Sequence, residues 1–262
     1  MAYTIEMANQ AAQVLVARRR HGMAGDVLPP ACRPQTLEAA LQVQAAVTDL
    51  LAAETGDGVC GWKCGLPSPD KVVVAPIYGH SLQHHEPCLV WATQSQVKIE
   101  PELAFLMGRD LPPCGRAYTP QDIDAAIAST HLALELIHDR YAADAGAQFA
   151  DRLADGLVNQ GLWLGPAIPS EQGAQAHQID IRMDVDDCLG DVVKGVHPAA
   201  QPRDPLYWLV NHLCERGLTL KAGQVVITGS YAGAPWVPVD KSVQVHFMGL
   251  GVVSTRFVAR GA

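Results

Sequence analysis

The 262-residue chain has no uncharged apolar run approaching the roughly 20 residues a membrane span requires. Its first residues, Met1-Ala2-Tyr3-Thr4-Ile5-Glu6, lack the charged start and apolar core of a targeting segment. The expected address is the cytoplasm, with no membrane partner. Cationic residues are in short supply: Lys+Arg total 19 against 27 Asp+Glu, a net charge of -8. Without a basic footprint to neutralise a phosphate backbone, nucleic acid is excluded as a partner, and a small anionic substrate must be met locally, by a metal ion or a few lysines. Charged residues make up only 18% and hydrophobic residues 48%, which excludes a disordered or fibrous chain and predicts a soluble globular one.

Other absences narrow the chemistry. The seven cysteines form an odd set with no C-x-x-C pair, against both a disulfide framework and zinc-finger spacing, so most are expected as small buried apolar residues. No G-x-G-x-x-G and no G-x-x-x-x-G-K-[ST] occurs, which leaves dinucleotide and P-loop readings without an anchor. The lack of a Gly-x-Ser-x-Gly elbow weakens serine-hydrolase chemistry. No period of 20–50 residues repeats, so solenoids and propellers are out.

What is present opens with two helices. Thr4 to about Arg20 repeats Ala, Val and Leu at helical spacing and ends in Arg18-Arg19-Arg20, cations suited to a helix C-terminus. After a connector marked by Pro29, Pro30 and Pro34, Thr36 to Glu54 places Leu37, Leu41, Ala45, Val47 and Leu51 on an apolar stripe closed by Gly56. From Val59 onward the pattern is β-rich, with strands expected over Gly61–Leu66, Val72–Ile77, Pro87–Trp91, Val97–Met107 and His131–Ile137. Further strands are expected over Leu157–Leu164, Ile179–Val185, Val192–Val196, Gln224–Thr228, Ser242–Met248 and Gly251–Val258. A helix N-capped by Thr119 is expected to reach about Ser129, and a second begins at Asp204-Pro205. This order predicts an α+β fold in a single domain over 1–262: an N-terminal helical part, 1–58, on a mixed β-roll core, 59–262, with inserted helices.

The informative stretch is Lys98-Ile99-Glu100-Pro101-Glu102-Leu103-Ala104-Phe105. In an extended segment Glu100 and Glu102 point to the same side, about 7 Å apart along the chain. Pro101 suggests an edge or bulged position where a ladder bond is already missing. A solvated acidic face is the alternative. Glu135 weighs against it, since it sits in an apolar run, Leu132 to Ile137, that should be buried on both faces and needs a cation, a metal or a proton. Three such carboxylates form a hard oxygen site suited to Mg²⁺ or Mn²⁺ and unsuited to structural zinc. Lys63, in a glycine-flanked apolar strand, either holds an anion or moves a proton, with burial lowering its pKa, or snorkels from a strand edge. Thr228-Gly229-Ser230 offers hydroxyls for a pocket wall or a plain strand-end turn. His84-His85-Glu86, His138-Asp139 and Asp184-Val185-Asp186-Asp187 read as loop and turn features, the second with a place at the pocket rim as its alternative.

These motifs resemble the fumarylacetoacetate hydrolase superfamily, in the branch of 2-keto-4-pentenoate hydratases and 4-oxalocrotonate decarboxylases. The resemblance rests on Arg33-Pro34 with Thr36 and Gln44, Lys63 with Gly65-Leu66, Pro76 and Gly79, and Ile99 to Phe105. It continues through Glu135 with Arg140, Trp208-Leu209, Leu218 and Leu220, and ends on Gly223 to Ser230. It implies a mixed β-roll, a homo-oligomer, and a divalent cation, usually magnesium, on Glu100, Glu102 and Glu135. Lys63 and Asp155 become the expected catalytic residues, and Leu66, Ser68, Thr228 and Ser230 the expected substrate-binding ones. The implied reaction is hydration of a 2-hydroxy-2,4-dienoate to a 4-hydroxy-2-oxo acid. Its alternatives are decarboxylation of a 4-oxalocrotonate-type diacid, acylpyruvate-type C–C hydrolysis, or a non-catalytic subunit associated with a related hydratase or decarboxylase. Pro67, Ile77 and Gly156 depart from residues common in that branch, where a threonine, an acidic residue and an asparagine respectively are frequent.

Overall fold

The computed structural model describes residues 2–261. Helix α1 (Ile5–His21) starts where the Thr4 hydroxyl accepts the Met7 N–H, and α2 (Leu37–Thr55) where Thr36 does the same for Ala39. Both stop at a glycine in the left-handed region: Gly56, as expected for α2, and Gly22, just past the basic run expected to end α1. The buried face of α2 is rotated from the expected stripe. Ala39, Ala40, Val43, Ala46 and Val47 face inward while Ala45 is exposed, because buried Gln44 turns with them to donate to the carbonyls of Val74 and Leu153.

The β-rich part begins with β1 (Val59–Cys64), β2 (Val74–Tyr78), β3 (Leu82–Gln83), β4 (Cys88–Val90) and β5 (Gln96–Met107). A short helix α3 (Pro120–Asp124) leads into β6 (Ile127–Ile137). The helix expected to reach Ser129 ends five residues sooner because Ile127 and Ser129 already pair with Met107 and Leu106 of β5, and the ladder outcompetes another helical turn. The stretch after Ile137, expected as loop, contains α4 (Phe149–Ala154), followed by β7 (Asn159–Ile168) and another unexpected helix, α5 (Ser170–Gln175). The chain closes with β8 (Ile181–Val185), β9 (Val192–Val193), α6 (Asp204–Glu215), β10 (Val225–Ile227), β11 (Trp236–Pro238), β12 (Ser242–Phe247) and β13 (Gly251–Ala259).

The fold is α+β around a mixed, nearly closed, barrel-like sheet, as expected. Its strand order is β2-β1-β10-β5-β6-β7-β3, with β11 also on β5, and a five-stranded sheet β4-β13-β12-β8-β9 packs against it. Ile99, Leu103, Phe105 and Leu132 of the first sheet share one core with Val245, Phe247, Val253 and Phe257 of the second, sealed by Leu206, Leu209, Val210 and Leu213 of α6. A second core joins α1 and α2 to Ala75, Tyr78, Tyr141 and Leu153.

Two features position the site. In β5, residues 104–106 pair with β10 and 96–98 with β11, so around Pro101 the strand meets neither and is met by the connecting loop. Tyr231 N–H donates to the Pro101 carbonyl and Ile99 N–H to the Pro235 carbonyl. The proline therefore lies within the sheet, at an interruption of the ladder rather than on an edge strand. The second feature is the close approach of β1 to β10, at Gly61 opposite Val225. A Cβ on Gly61 would lie 2.4 Å from the Val225 carbonyl oxygen, an immovable backbone atom. Gly61→Ala is expected to lower the unfolding free energy by about 1–3 kcal/mol through overpacking, read as a lower urea midpoint at unchanged slope.

Candidate active site

Strands β5 and β6 pair with Glu100 directly opposite Glu135 and Glu102 opposite Ala133. The two-residue period of β5 puts Glu100 and Glu102 on one face, and the register delivers Glu135 to the same place. Each carboxylate has an oxygen within 4.8 Å of the others. Glu102 and Glu135 are fully buried and Glu100 is partly so. The three predicted ligands do converge.

Neighbouring groups satisfy only part of this acid. Glu102 Oε2 accepts the Gly229 N–H at 2.6 Å, and Glu135 Oε1 accepts from Lys63 Nζ at 2.7 Å and Asn159 Nδ2 at 2.8 Å. Glu135 Oε2 is buried with no hydrogen-bond partner. Burial, reinforced by Glu135, pushes the Glu100 carboxyl up to about 8, and burial with Glu135 and Glu100 pushes Glu102 well above the carboxylate range. An all-oxygen cluster with an orphaned, buried acceptor fits a hard divalent cation. Lys63 departs from the expectation of a lowered pKa: burial pulls it down, but Glu135, Glu100 and Glu102 together outweigh burial and hold the ammonium above its ordinary value.

Around the cluster lies a cavity of about 290 Å³ that Lys63, Glu100, Glu102, Leu66, Thr228 and Ser230 help to line. Thr228 is buried with its hydroxyl 3.3 Å from His197 Nε2, and the Ser230 hydroxyl donates to the Gly233 carbonyl at 2.7 Å. Gly229 between them has φ 138, and a Cβ there would lie 2.5 Å from Pro198, so glycine is required for its N–H to reach Glu102. Ser68 is not in this wall; it sits exposed at a tight turn, its backbone paired with Lys71.

Asp155 also stands apart from the reacting space. It is buried, with one oxygen held by Arg19 Nε at 3.1 Å and the other by Arg140 Nε. It anchors three consecutive left-handed residues, Gly156 (φ 73), Leu157 (φ 52) and Val158 (φ 60). A β-branched residue in that region is strained, and such strain persists only where the surroundings impose it. Here the Leu157 N–H donates to the Arg152 carbonyl at 2.7 Å and the Val158 carbonyl accepts from His138 N–H at 2.9 Å. The turn aims the Leu157 carbonyl at Lys63 Nζ, 3.3 Å away, and presents Asn159 to Glu135. It also delays β7, which starts at Asn159 rather than Leu157. Asn159, Gly229 and the Leu157 carbonyl carry no spacing signal; the glycine at 156, a residue that tolerates positive φ, is a local feature from which the unusual backbone could have been found.

The model of the fumarylacetoacetate (FAA) hydrolase C-terminal family matches residues 65–258. The chain belongs to this family. Among its relatives, the 2-oxo-hept-4-ene-1,7-dioate hydratase of Escherichia coli is 31% identical over 245 residues, covering 85% of this chain and 87% of that one. A 2-keto-4-pentenoate hydratase of Paraburkholderia phymatum is 26% identical over 248 residues, 88% of this chain and 89% of that one. The 4-oxalocrotonate decarboxylase from Pseudomonas putida G7, solved with magnesium and adipate, superposes with a TM-score of 0.81 at 22% identity, covering 98% of this chain and 99% of that one. The likeness of fold to that decarboxylase thus extends over the N-terminal helices, beyond the residues that the family model matches.

The raised carboxyls make a prediction for this FAA hydrolase family member. They bind protons in the folded protein that the unfolded chain releases near its ordinary value of 4.5, so the cation-free protein loses stability as pH climbs from there through about 8. A divalent cation needs the carboxylates ionised and removes that repulsion. Thermal melts with and without the cation should show a larger stabilising shift at pH about 8.5 than at about 6. Equal shifts would contradict the coupling.

Proposed function

We propose that the protein is a hydro-lyase that adds water to a 2-hydroxy-2,4-dienoate bearing a single carboxylate, of the 2-hydroxypentadienoate type, to give a 4-hydroxy-2-oxo acid. The observation that carries the choice of substrate is the ion inventory of the cavity. Among the described residues Lys63 is the one cation in its lining, and it is bound to Glu135; the walls away from the acidic cluster are Leu66, Val73, Pro198, Ala199 and Pro205. A second carboxylate at the far end of the substrate would be desolvated there without a partner, at a cost of several kcal/mol. Diacid decarboxylation and diacid hydration therefore fit this cavity less well than a mono-acid does. The hydratase names borne by several relatives agree with the reaction.

Glu100, Glu102 and Glu135 would hold the cation, for which Mg²⁺ is the natural choice among hard ions, with Mn²⁺ as its substitute. When bound, it supplies a Lewis acid for the 2-oxygen and carboxylate of the substrate. The remaining work belongs to the chain. In the first half of the reaction the enol proton leaves O2 and C5 is protonated, giving a 3-enone; in the second, water adds across C3–C4. In this reading Lys63 Nζ carries a proton at that centre, a role supported by its position between Glu135 and the Leu157 carbonyl. Asn159 fixes the Glu135 oxygen that Lys63 shares, and the Gly229 N–H fixes Glu102. Asp155 is a positioning residue, acting through the strained turn it anchors. Thr228 lines the wall with its hydroxyl free to turn from His197 to a substrate oxygen. Assembly into a homo-oligomer belongs to the same reading. It is supported by the exposed Leu189, Val192, Val193 and Val196, which crowd the β8–β9 hairpin.

Glu100→Gln should abolish loss of dienoate absorbance with 2-hydroxypentadienoate and weaken Mg²⁺ uptake in calorimetry while the thermal midpoint holds. Unchanged turnover would refute the assignment. In the same assay, wild type should favour 2-hydroxypentadienoate over 2-oxohex-3-enedioate by about a hundredfold or more in kcat/KM, the equivalent of one unpaired buried charge. Faster release of CO₂ from the diacid would reverse the choice of reaction.

A further inference from the structure

On the side of the 155–159 turn away from the acidic cluster, the chain gathers its scarce cations around a second cavity, of about 180 Å³. Arg19 and Arg140 line it together with Arg20, Arg260, His80 and Tyr78. Their charges do not cancel. Arg20 is paired with Glu54, and His80 faces Asp57 at 3.9 Å. Arg19 and Arg140, however, share one carboxylate, Asp155, and Arg140 is 1% exposed. That triad keeps one positive charge out of water. Arg260 adds another: it is half-buried against the Trp91 ring, 5.9 Å from its centroid, and among the described residues it has no ion pair and no side-chain hydrogen bond. Arg140 already donates from Nη1 to the His138 carbonyl and from Nη2 to the Asp155 carbonyl, and Arg19 from Nη1 to the Asn159 carbonyl and from Nη2 to the Asp155 carbonyl, which leaves the second N–H of each Nη, together with the whole Arg260 fork, to grip an oxyanion.

We propose that this cavity is a binding site for a small, multiply charged tetrahedral oxyanion of the phosphate class, held by Arg260 at the rim and by the Arg19–Arg140 pair within. The site is separate from the acidic cavity, where Lys63 is already spent on Glu135. The two are nevertheless linked. Arg19 donates to the Asn159 carbonyl at 3.3 Å, and the Asn159 side chain holds Glu135. An anion drawing on Arg19 and Arg140 therefore pulls on the same turn that places the Leu157 carbonyl on Lys63. A net charge of -8 elsewhere on the molecule does not prevent this, because the field inside a cavity is set by its lining rather than by the total.

The test is calorimetric titration of the full chain, kept cation-free with EDTA, with inorganic phosphate, and with malonate as a planar dicarboxylate arm. Wild type and Lys63→Met should both bind phosphate saturably, and phosphate should raise the thermal midpoint of both. Arg260→Gln should weaken binding by about tenfold or more, the worth of one charge-assisted contact, and Arg260→Lys should recover part of it. Arg260 is only half-buried, and the thermal midpoint of each variant without phosphate reports whether it has folded. Malonate binding more tightly than phosphate would overturn the tetrahedral class. No saturable phosphate binding by wild type, or loss in Lys63→Met with none in folded Arg260→Gln, would overturn the site.

Discussion

Two carboxylates stand opposite each other on neighbouring strands, Glu100 on β5 and Glu135 on β6, with a third, Glu102, beside them in a desolvated cleft. Like charges at a cross-strand position destabilise a sheet, and burial multiplies the penalty because little water screens them. Much of the surrounding structure can be understood as a response. Lys63 reaches across from β1, the Gly229 N–H turns inward where β10 and β11 part from β5, and Asn159 arrives from the start of β7. Together they orient two of the carboxylates and neutralise one, Glu135, while leaving one buried oxygen of Glu135 unmet. A cluster balanced in this way suits a divalent cation, and without one the burial and mutual repulsion that raise the carboxyl pKa values favour its protonated state.

The second organising element is Asp155. One carboxylate bridges Arg19 of α1 and Arg140 beyond β6, so the N-terminal helices are tied to the sheet at the point where the chain enters its left-handed turn. The conformational cost of Leu157 and Val158 in that region is of order 1–3 kcal/mol each and is borne by these ion pairs and the backbone bonds around them. Removing Asp155 would be felt at Lys63 without any contact between the two. The basic run Arg18-Arg19-Arg20, suited as expected to a helix C-terminus, has a further tertiary use in which each residue takes a separate partner: Arg140's carbonyl, Asp155 and Glu54.

Much of the candidate site was legible in the sequence because its signals were local. Glu100 and Glu102 share a face through the period of a strand, Glu135 breaks an apolar run, and Lys63 sits among glycines; each of these is a departure visible within a few residues. Ser68 and Asp155 were less legible. Ser68 lies beyond the cavity at a turn, and both oxygens of Asp155 are occupied by arginines that are 136 and 15 residues away in sequence. Pro101 was informative in kind and misleading in place. A missing ladder bond does mark it, but the interruption is supplied by the departure of β10 and β11, which no property of residues 96–107 could indicate.

By itself, the sequence determined the start of α1 at Thr4 and the limits of α2 at Thr36 and Gly56, the α+β order, the shared face of Glu100 and Glu102, and the one acid, Glu135, that could not remain both buried and unpartnered. Those are consequences of periodicity, capping and desolvation, which act over one or two turns of chain. The tertiary structure alone decided the register that sets Glu100 against Glu135, the left-handed turn that offers Leu157 and Asn159 to the site, and the sharing of Asp155 between two arginines. These depend on groups from four strands and two loops meeting within a few ångströms, and such meetings are settled by how the sheet closes, after local preference has been spent.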